Sequence, residues 1–135
     1  MPERVSYSYA VIRVVPRVER EEFVNAGVVL HCPAKSYLGA HVALDADRLL
    51  QLYPQIDLGA VQRHLDLFAP LCAGDAAAGP LAKLSLSERF HWVVAPRSTI
   101  VQISPVHTGL TADPHAQLAH LVDSLVRPAG TTSGR

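Results

Sequence analysis

The amino-acid sequence predicts an α+β fold: a single domain in which a mainly antiparallel sheet of about four strands has helices packed on one face. Two runs rich in β-branched and aromatic residues, 6–15 and 23–32, indicate strands. The second run is joined to a third, 37–44, by the turn-forming segment 33–36, a pattern typical of a hairpin. Farther along the chain, apolar residues recur at steps of three and four, as in amphipathic helices.

Length and composition fit one folded domain. A chain of 135 residues buries roughly two thirds of its unfolded surface. Hydrophobic residues make up 49% of the chain and charged residues 18%, which is typical of folded proteins. We therefore assign residues 1–127 to a single α+β domain. Residues 128–135 begin with proline and consist mainly of Gly, Thr and Ser, so we expect a disordered C-terminal tail.

The charge balance argues against nucleic acid and membranes as partners. Lys and Arg together number 12, as do Asp and Glu, so the protein has no bulk field to attract an anionic polymer or surface. No apolar run approaches the ~20 residues needed to span a bilayer. The N-terminus lacks the pattern of a signal peptide. Cys32 and Cys72 each lie in an apolar run and are expected to be buried thiols. Buried free thiols favour a cytoplasmic protein. The sequence leaves open whether the protein forms a homo-oligomer.

The first strand is expected to end at Pro16, since proline cannot donate to a sheet ladder. Alternation places Arg13 on the same face as Tyr7 and Tyr9. Arg13 either has a structural role, pairing with an acidic neighbour or extending into water at an edge of the sheet, or is part of a site. A charged connection, 16–22, follows.

Gly27 lies inside the second strand and indicates a bulge or a close backbone approach. Simple alternation places Asn25 and Gly27 on one face together with Val29 and His31. The opposite face is expected to form the core and carries Val24, Ala26, Val28, Leu30 and Cys32. The third strand is the expected hairpin partner.

Helix starts are marked by capping residues. Asp45 or Asp47 can cap a short helix over 48–53, and Asp57 opens a longer one whose last turn Pro70 kinks or ends. The loop 73–80 follows. Ser85, with a glutamate three residues later, forms a capping-box pattern before a helical stripe that extends to residue 94; a strand over 92–94 is the alternative.

The C-terminal part predicts one more strand and one more helix. Residues 99–104 alternate as a fourth strand, and 105–112 are expected to be loop. A final helix is predicted to begin with Asp113 as its N-cap and Pro114 at its first position, and to run to about residue 126.

The seven histidines do not predict a metal site. His31 and His41 lie on strands separated by a turn, whereas His115 and His120 are five residues apart and point to different helix faces. No Cys-x-x-Cys, His-Glu-x-x-His or glycine-rich phosphate loop occurs. We therefore expect neither a metal nor a cofactor.

Two segments combine hydrogen-bond donors with titratable groups, as an anion site requires. One contains Arg97, Ser98 and Thr99, and the other contains His107 and Thr108. The alternative is structural: the arginine pairs with an acid such as Glu22, the hydroxyls bond locally to backbone, and the histidine closes a turn. The two segments meet only if the strand between them is bent.

Five separated stretches, 7–16, 20–29, 88–90, 96–99 and 105–109, resemble the bacterial domain-of-unknown-function family 3037. The resemblance covers residues 7–126. It implies a small single-domain bacterial protein with no assigned activity, encoded near a HipA-like kinase and acting as its companion.

The leading hypothesis is a non-enzymatic partner-binding module, with the HipA-like kinase as the partner that the resemblance implies. The rival is an enzyme or sensor for a phosphorylated small molecule or nucleotide. In the rival, Glu22 and His107 are the catalytic candidates. Its ligand-binding candidates are Arg13, Arg20, Asn25, Arg97, Ser98, Thr99 and Thr108.

Overall fold

The computed structural model describes residues 3–95 and 100–128 and confirms the α+β class. Five strands occur in these residues: β1 (Val5–Arg17), β2 (Glu22–Cys32), β3 (Tyr37–Val42), β4 (Val101–Ile103) and β5 (His107–Thr111). Five α-helices occur in the same part of the chain: α1 (Ala46–Leu52), α2 (Leu58–Leu65), α3 (Phe68–Ala73), α4 (Leu86–Val94) and α5 (Pro114–Leu125). None of the described helices is long and apolar enough to cross a membrane.

The strands form one antiparallel sheet in the order β3-β2-β1-β4, and β5 also pairs with β1. The predicted hairpin of the second and third strands is confirmed by the pairing of Cys32 with Tyr37 across a turn. β1 is the centre of the sheet, because β2 lies along one of its edges while β4 and β5 share the other.

The prediction that Pro16 ends the first strand is wrong, since β1 continues to Arg17. The ladder with β2 is irregular between Val14 and Arg17, so no ladder hydrogen bond has to come from the proline nitrogen. On the β4 side, Val15 donates its backbone N–H to Ile100 O at 2.6 Å.

The predicted loop over 105–112 is also wrong, because residues 107–111 form β5. Ser104 accounts for the difference, since it holds the chain against β1 across the break between β4 and β5. Its backbone N–H donates to Val11 O at 2.9 Å, and its hydroxyl accepts from Val11 N at 2.8 Å. The hydroxyl in turn donates to Pro105 O at 2.9 Å. A side chain thus replaces the backbone acceptor missing at the break, and pairing with β1 resumes at His107.

β2 contains the bulge that Gly27 indicated. Ile12 pairs with Gly27 while Arg13 pairs with Asn25, so Ala26 is the extra residue. The bulge reverses the alternation, and the predicted division of β2 into one polar face and one core face is therefore wrong. From Ala26 to Cys32 the residues of both faces are buried, whereas Phe23, before the bulge, is exposed.

The helix starts agree with the predicted caps: Asp45, Asp57 and Asp113 each accept a backbone N–H with their side chains. Both hydrogen bonds of the predicted capping box at Ser85 are present. α1 begins two residues earlier than expected.

The long helix expected after Asp57 is divided into α2 and α3, with the break at residues 66–67. Pro70 explains the break. Its ring cannot be accommodated against the carbonyl four residues earlier, that of Asp66, in a continuous helix.

Two hydrophobic clusters lie on opposite faces of the sheet. α1 to α4 pack on the face that carries Ala10, Ile12, Val14, Val24 and Val29. α5 packs on the other face, beside Tyr7, Val28, Leu30 and Cys32. Four helices thus share one face as expected, and α5 covers part of the second. Both cysteines are buried and free, and burial raises the pKa of Cys72 to about 12.

Candidate functional site

A groove runs along the outer edge of β3, and we call it the β3 groove. It has a volume of about 360 Å³. The strand forms its floor with Tyr37, Gly39, Ala40, His41 and Val42. Leu65, Asp66 and Ala69 form one wall and His115 and Leu118 the other. Because the walls come from helices on opposite faces of the sheet, the groove must straddle the sheet edge.

The edge of β3 offers unused backbone groups. Ala43 N donates to Ala26 O at 2.8 Å, which makes Gly27 and Val42 a pair that does not exchange hydrogen bonds. Hydrogen-bonded pairs alternate along an antiparallel ladder, so residues 37, 39 and 41 bond to β2. Residues 38, 40 and 42 therefore direct N–H and C=O groups outward, where no further strand lies among the residues that the structure describes.

The wall formed by α2 and α3 carries one acidic group. Asp66 and Ala69 are both exposed there. The Asp66 carboxylate accepts from Gln62 Nε2 at 2.7 Å. Its side chain takes part in no ion pair with any residue of 3–95 or 100–128. This carboxylate is the one formally charged group among the groove-lining residues when histidine is counted as neutral.

The wall formed by α5 carries an imidazole and a phenol in contact. Tyr37 Oη lies 3.5 Å from His115 Nδ1, and the two rings meet edge to face. Burial, followed by the nearby Cys72 and Asp113, raises the pKa of Tyr37, so the phenol remains a hydrogen-bond donor. The ring also lies over Gly39, where a β-carbon would come within 2.5 Å of the phenol oxygen. The Tyr37 ring therefore occupies the space that a side chain at position 39 would take.

Arg13, a predicted ligand residue, lies at the centre of the sheet opposite Asn25 and Gln102. Its guanidinium carbon is 4.2 Å from the centre of the Phe23 ring, a cation–π contact. Arg13 Nε is buried and has no acceptor among the described residues. Arg13 therefore keeps one unused donor beside an aromatic ring.

Asn25 has a structural partner. Its Nδ2 donates to Leu125 O, at the end of α5, at 2.9 Å. Its Oδ1 is buried and accepts from no donor within residues 3–95 and 100–128. The amide thus connects β2 to α5.

Arg20 and Glu22 bind each other in an exposed ion pair, and the hydrogen bond from Glu22 raises the pKa of Arg20. They lie at the far end of β1, where Glu22 pairs with Arg17. His107 pairs instead with Tyr9, and the centres of the imidazole and phenol rings are 5.4 Å apart. Eight steps along β1 separate these pairs, about 26 Å at ~3.3 Å per residue. Glu22 and His107 are therefore not brought together.

Thr108 is exposed on β5, next to His107. Arg97, Ser98 and Thr99 lie outside the described residues. Their role, and that of the other ligand candidates, stays a prediction. In the described part of the chain no three His, Cys, Asp or Glu side chains gather as metal ligands.

Sequence reasoning missed the β3 groove because strand order is a tertiary property. One local signal was available: residues 37–42 contain no Lys, Glu or Pro, the residues that commonly protect an edge strand from pairing.

The fold and the groove define a small α+β domain with an open sheet edge between helices. The family model described as protein of unknown function (DUF3037) matches residues 9–126, and the chain belongs to this family. Comparison with curated proteins and with solved structures gives no match.

Proposed function

We propose that the domain is a partner-binding module that takes an extended segment of another protein onto the edge of β3. The open edge inside the β3 groove carries this proposal. Main-chain hydrogen bonds to outward-facing groups give affinity in such β-strand addition, and pockets beside the strand give specificity. The partner that the family resemblance suggests is the HipA-like kinase encoded nearby.

The walls of the groove favour a single strand as its occupant. α3 and α5 flank β3 on opposite sides of the sheet. A second flat sheet approaching edge to edge would have to pass between these helices, whereas one extended segment fits along the floor.

The test is complex formation with the HipA-like kinase, followed by amide hydrogen exchange. In the free protein, the amides of Leu38, Ala40 and Val42 should exchange faster than those of Gly39 and His41, which bond to β2. Complex formation should slow the first set by about tenfold or more and leave the second nearly unchanged. A complex that leaves the outward amides unprotected, or no complex at micromolar concentrations, would contradict the proposal.

Two substitutions sharpen this test. Ala40→Pro removes an outward N–H without removing a bond to β2, so the domain should fold but lose the complex. Ala69→Arg fills the groove from the α3 wall and should weaken binding as well. Ala60→Arg makes the same change at an exposed position of α2 outside the groove, and it should bind like the wild type. Circular dichroism checks that all three variants are folded.

A second candidate function is the binding or turnover of a phosphorylated small molecule or nucleotide. The unused Arg13 Nε favours it, and Arg97, Ser98 and Thr99 would supply further donors. A thermal-shift screen over nucleotides and sugar phosphates, repeated with Arg97→Ala, tests it. Absence of any anion-dependent shift in the wild type would count against this function.

A further inference from the structure

We infer that the segment bound along β3 places a lysine or arginine side chain against Asp66. This inference rests on the proposed function and adds the charge and orientation of the partner segment. The occupant is an extended segment of a partner protein with a cation on the side that faces α2 and α3.

Asp66 lies between two helices, α2 and α3. It lies just after the last residue of α2, where its backbone N–H closes the final turn on Gln62 O at 2.9 Å. α3 begins two residues later, at Phe68, so the partial charges of the two helix ends oppose each other at this site. The negative charge that a cation in the groove would meet is therefore that of the carboxylate itself.

The carboxylate is also available. It is exposed, and of its two oxygens Oδ1 accepts from the neutral Gln62 amide. No arginine or lysine within the described ranges pairs with it. A cation from a bound segment would therefore not have to displace another one.

The alternation of an added strand determines which of its side chains reach this wall. Ala40 directs its side chain to the α2 and α3 side of the sheet, where it contacts the larger hydrophobic cluster. The residue of the bound strand opposite Ala40 faces the same way, as do its neighbours two positions before and after. Because Ala40 is small, a long side chain opposite it has room to reach the wall.

Lysine and arginine suit this wall because their stems are apolar and their heads are charged. The stem can lie on the exposed Ala69 while the head pairs with Asp66. An acidic residue at the same position would face the carboxylate. The opposite wall, with His115 and the Tyr37 phenol, offers hydrogen-bonding groups and selects no cation.

The test uses two synthetic peptides that differ only at the centre: Thr-Val-Thr-Lys-Thr-Val-Thr and the same sequence with Glu in place of Lys. In each, the two valines and the central residue lie on one side of the strand. Binding is measured by the shifts of the β3 amides in NMR titrations at low salt. We expect the lysine peptide to bind about fivefold more tightly than the glutamate peptide.

Asp66→Asn keeps an acceptor for Gln62 and removes the charge, so the two peptides should then bind within about twofold of each other. Asp47→Asn makes the same change at an exposed site away from the groove and should retain the preference. If both peptides bind the wild type equally and Ala40→Pro abolishes the binding of both, the charge inference is overturned while the proposal of a binding site at the edge of β3 stands. Failure of both peptides to shift the β3 amides would overturn the edge site as well.

Discussion

Asn25 and Leu125 connect the beginning of β2 to the end of α5, with the amide nitrogen 2.9 Å from the carbonyl oxygen. The last carbonyl groups of a helix lack partners within the helix, so the amide satisfies one of them. The same contact holds α5 on the second face of the sheet. A residue chosen from the sequence as a ligand candidate thus has a structural function that can be measured separately.

Replacing Asn25 with alanine should lower the free energy of unfolding by about 1 kcal/mol, the usual net value of one such hydrogen bond. Urea denaturation measures the change. Gln55→Ala, at an exposed position, is the control and should change the stability by less than about 0.5 kcal/mol. Unchanged stability of Asn25→Ala would show that the contact to α5 contributes nothing.

Replacing Ser104 with alanine should cost about 1–3 kcal/mol, because it leaves the Val11 N–H without an acceptor. Ser104 is only 4% exposed, so water cannot easily take the place of the hydroxyl. Chemical denaturation measures the loss, and Ser6→Ala, at an exposed position of β1, should be nearly neutral. A loss as small as that of Ser6→Ala would mean that the break between β4 and β5 tolerates an unpaired donor.

Ser104 also illustrates what the sequence could predict. The capping residues Asp57, Ser85 and Asp113 act on backbone groups three positions away, and all three helix starts were predicted. Ser104 acts on Val11, which is 93 positions away, so no local pattern could reveal that residues 107–111 continue along β1.

The candidate site had the same limit. Gly27 indicated a bulge, but which residue was extra depended on the register with β1, and the faces of β2 were misassigned as a result. Arg20 and Glu22 were read as parts of one site with His107, whereas the length of β1 separates them. The β3 groove depends on which strand lies at the edge, and this order is set by pairing across the whole sheet.

Stability should fall as the pH is lowered from about 7.5 to 5.5, in part because of His31. This side chain is 6% exposed and stacks on Phe90 with ring centres 5.0 Å apart. Burial, followed by repulsion from His91, lowers its pKa. Below the ordinary histidine pKa of about 6.5, the unfolded chain takes up a proton that the folded chain resists, so unfolding becomes more favourable.

His31→Phe keeps a ring beside Phe90 and removes this titration. The variant should lose less stability than the wild type over the same pH interval, as measured by denaturant midpoints at each pH. His120→Phe changes an exposed histidine and should retain the pH dependence of the wild type. An equal loss in His31→Phe would assign the effect to other groups.

Replacing Arg89 with methionine should destabilise the domain by about 2–4 kcal/mol. The buried guanidinium donates to the carbonyl groups of Ala82, Leu84 and Cys72 at 3.2, 2.5 and 3.3 Å. It therefore holds α3, α4 and the segment between them together. Arg89→Lys should rescue little, because one ammonium group cannot reproduce the planar fork of donors.

The same change at exposed Arg63 is the control for Arg89→Met and should alter stability by less than about 0.5 kcal/mol. Thermal and urea unfolding report the differences. Full rescue by lysine would mean that charge alone, and not the three directed hydrogen bonds, stabilises this part of the fold.

Replacing Gly27 and Gly59 with alanine should change stability in opposite directions. A β-carbon at Gly27 would lie 2.8 Å from His41 O and 3.2 Å from Val42 Cα, both backbone atoms of the paired strand β3. β3 would have to move away, at a cost of about 1–3 kcal/mol. At Gly59, inside α2, the nearest atom is Nη1 of the flexible Arg63 side chain at 3.2 Å. Alanine there should stabilise the helix by about 0.5–1 kcal/mol.

Urea denaturation of both variants measures these changes, and amide exchange along β3 shows whether its pairing with β2 loosens in Gly27→Ala. Because the β3 groove depends on the position of this strand, Gly27→Ala should also weaken the binding of partner segments, whereas Gly59→Ala should not. If Gly27→Ala leaves the free energy of unfolding unaltered, β2 and β3 can move apart at the bulge without a loss of stability. The edge of β3 would then be less firmly positioned than its pairing with β2 implies.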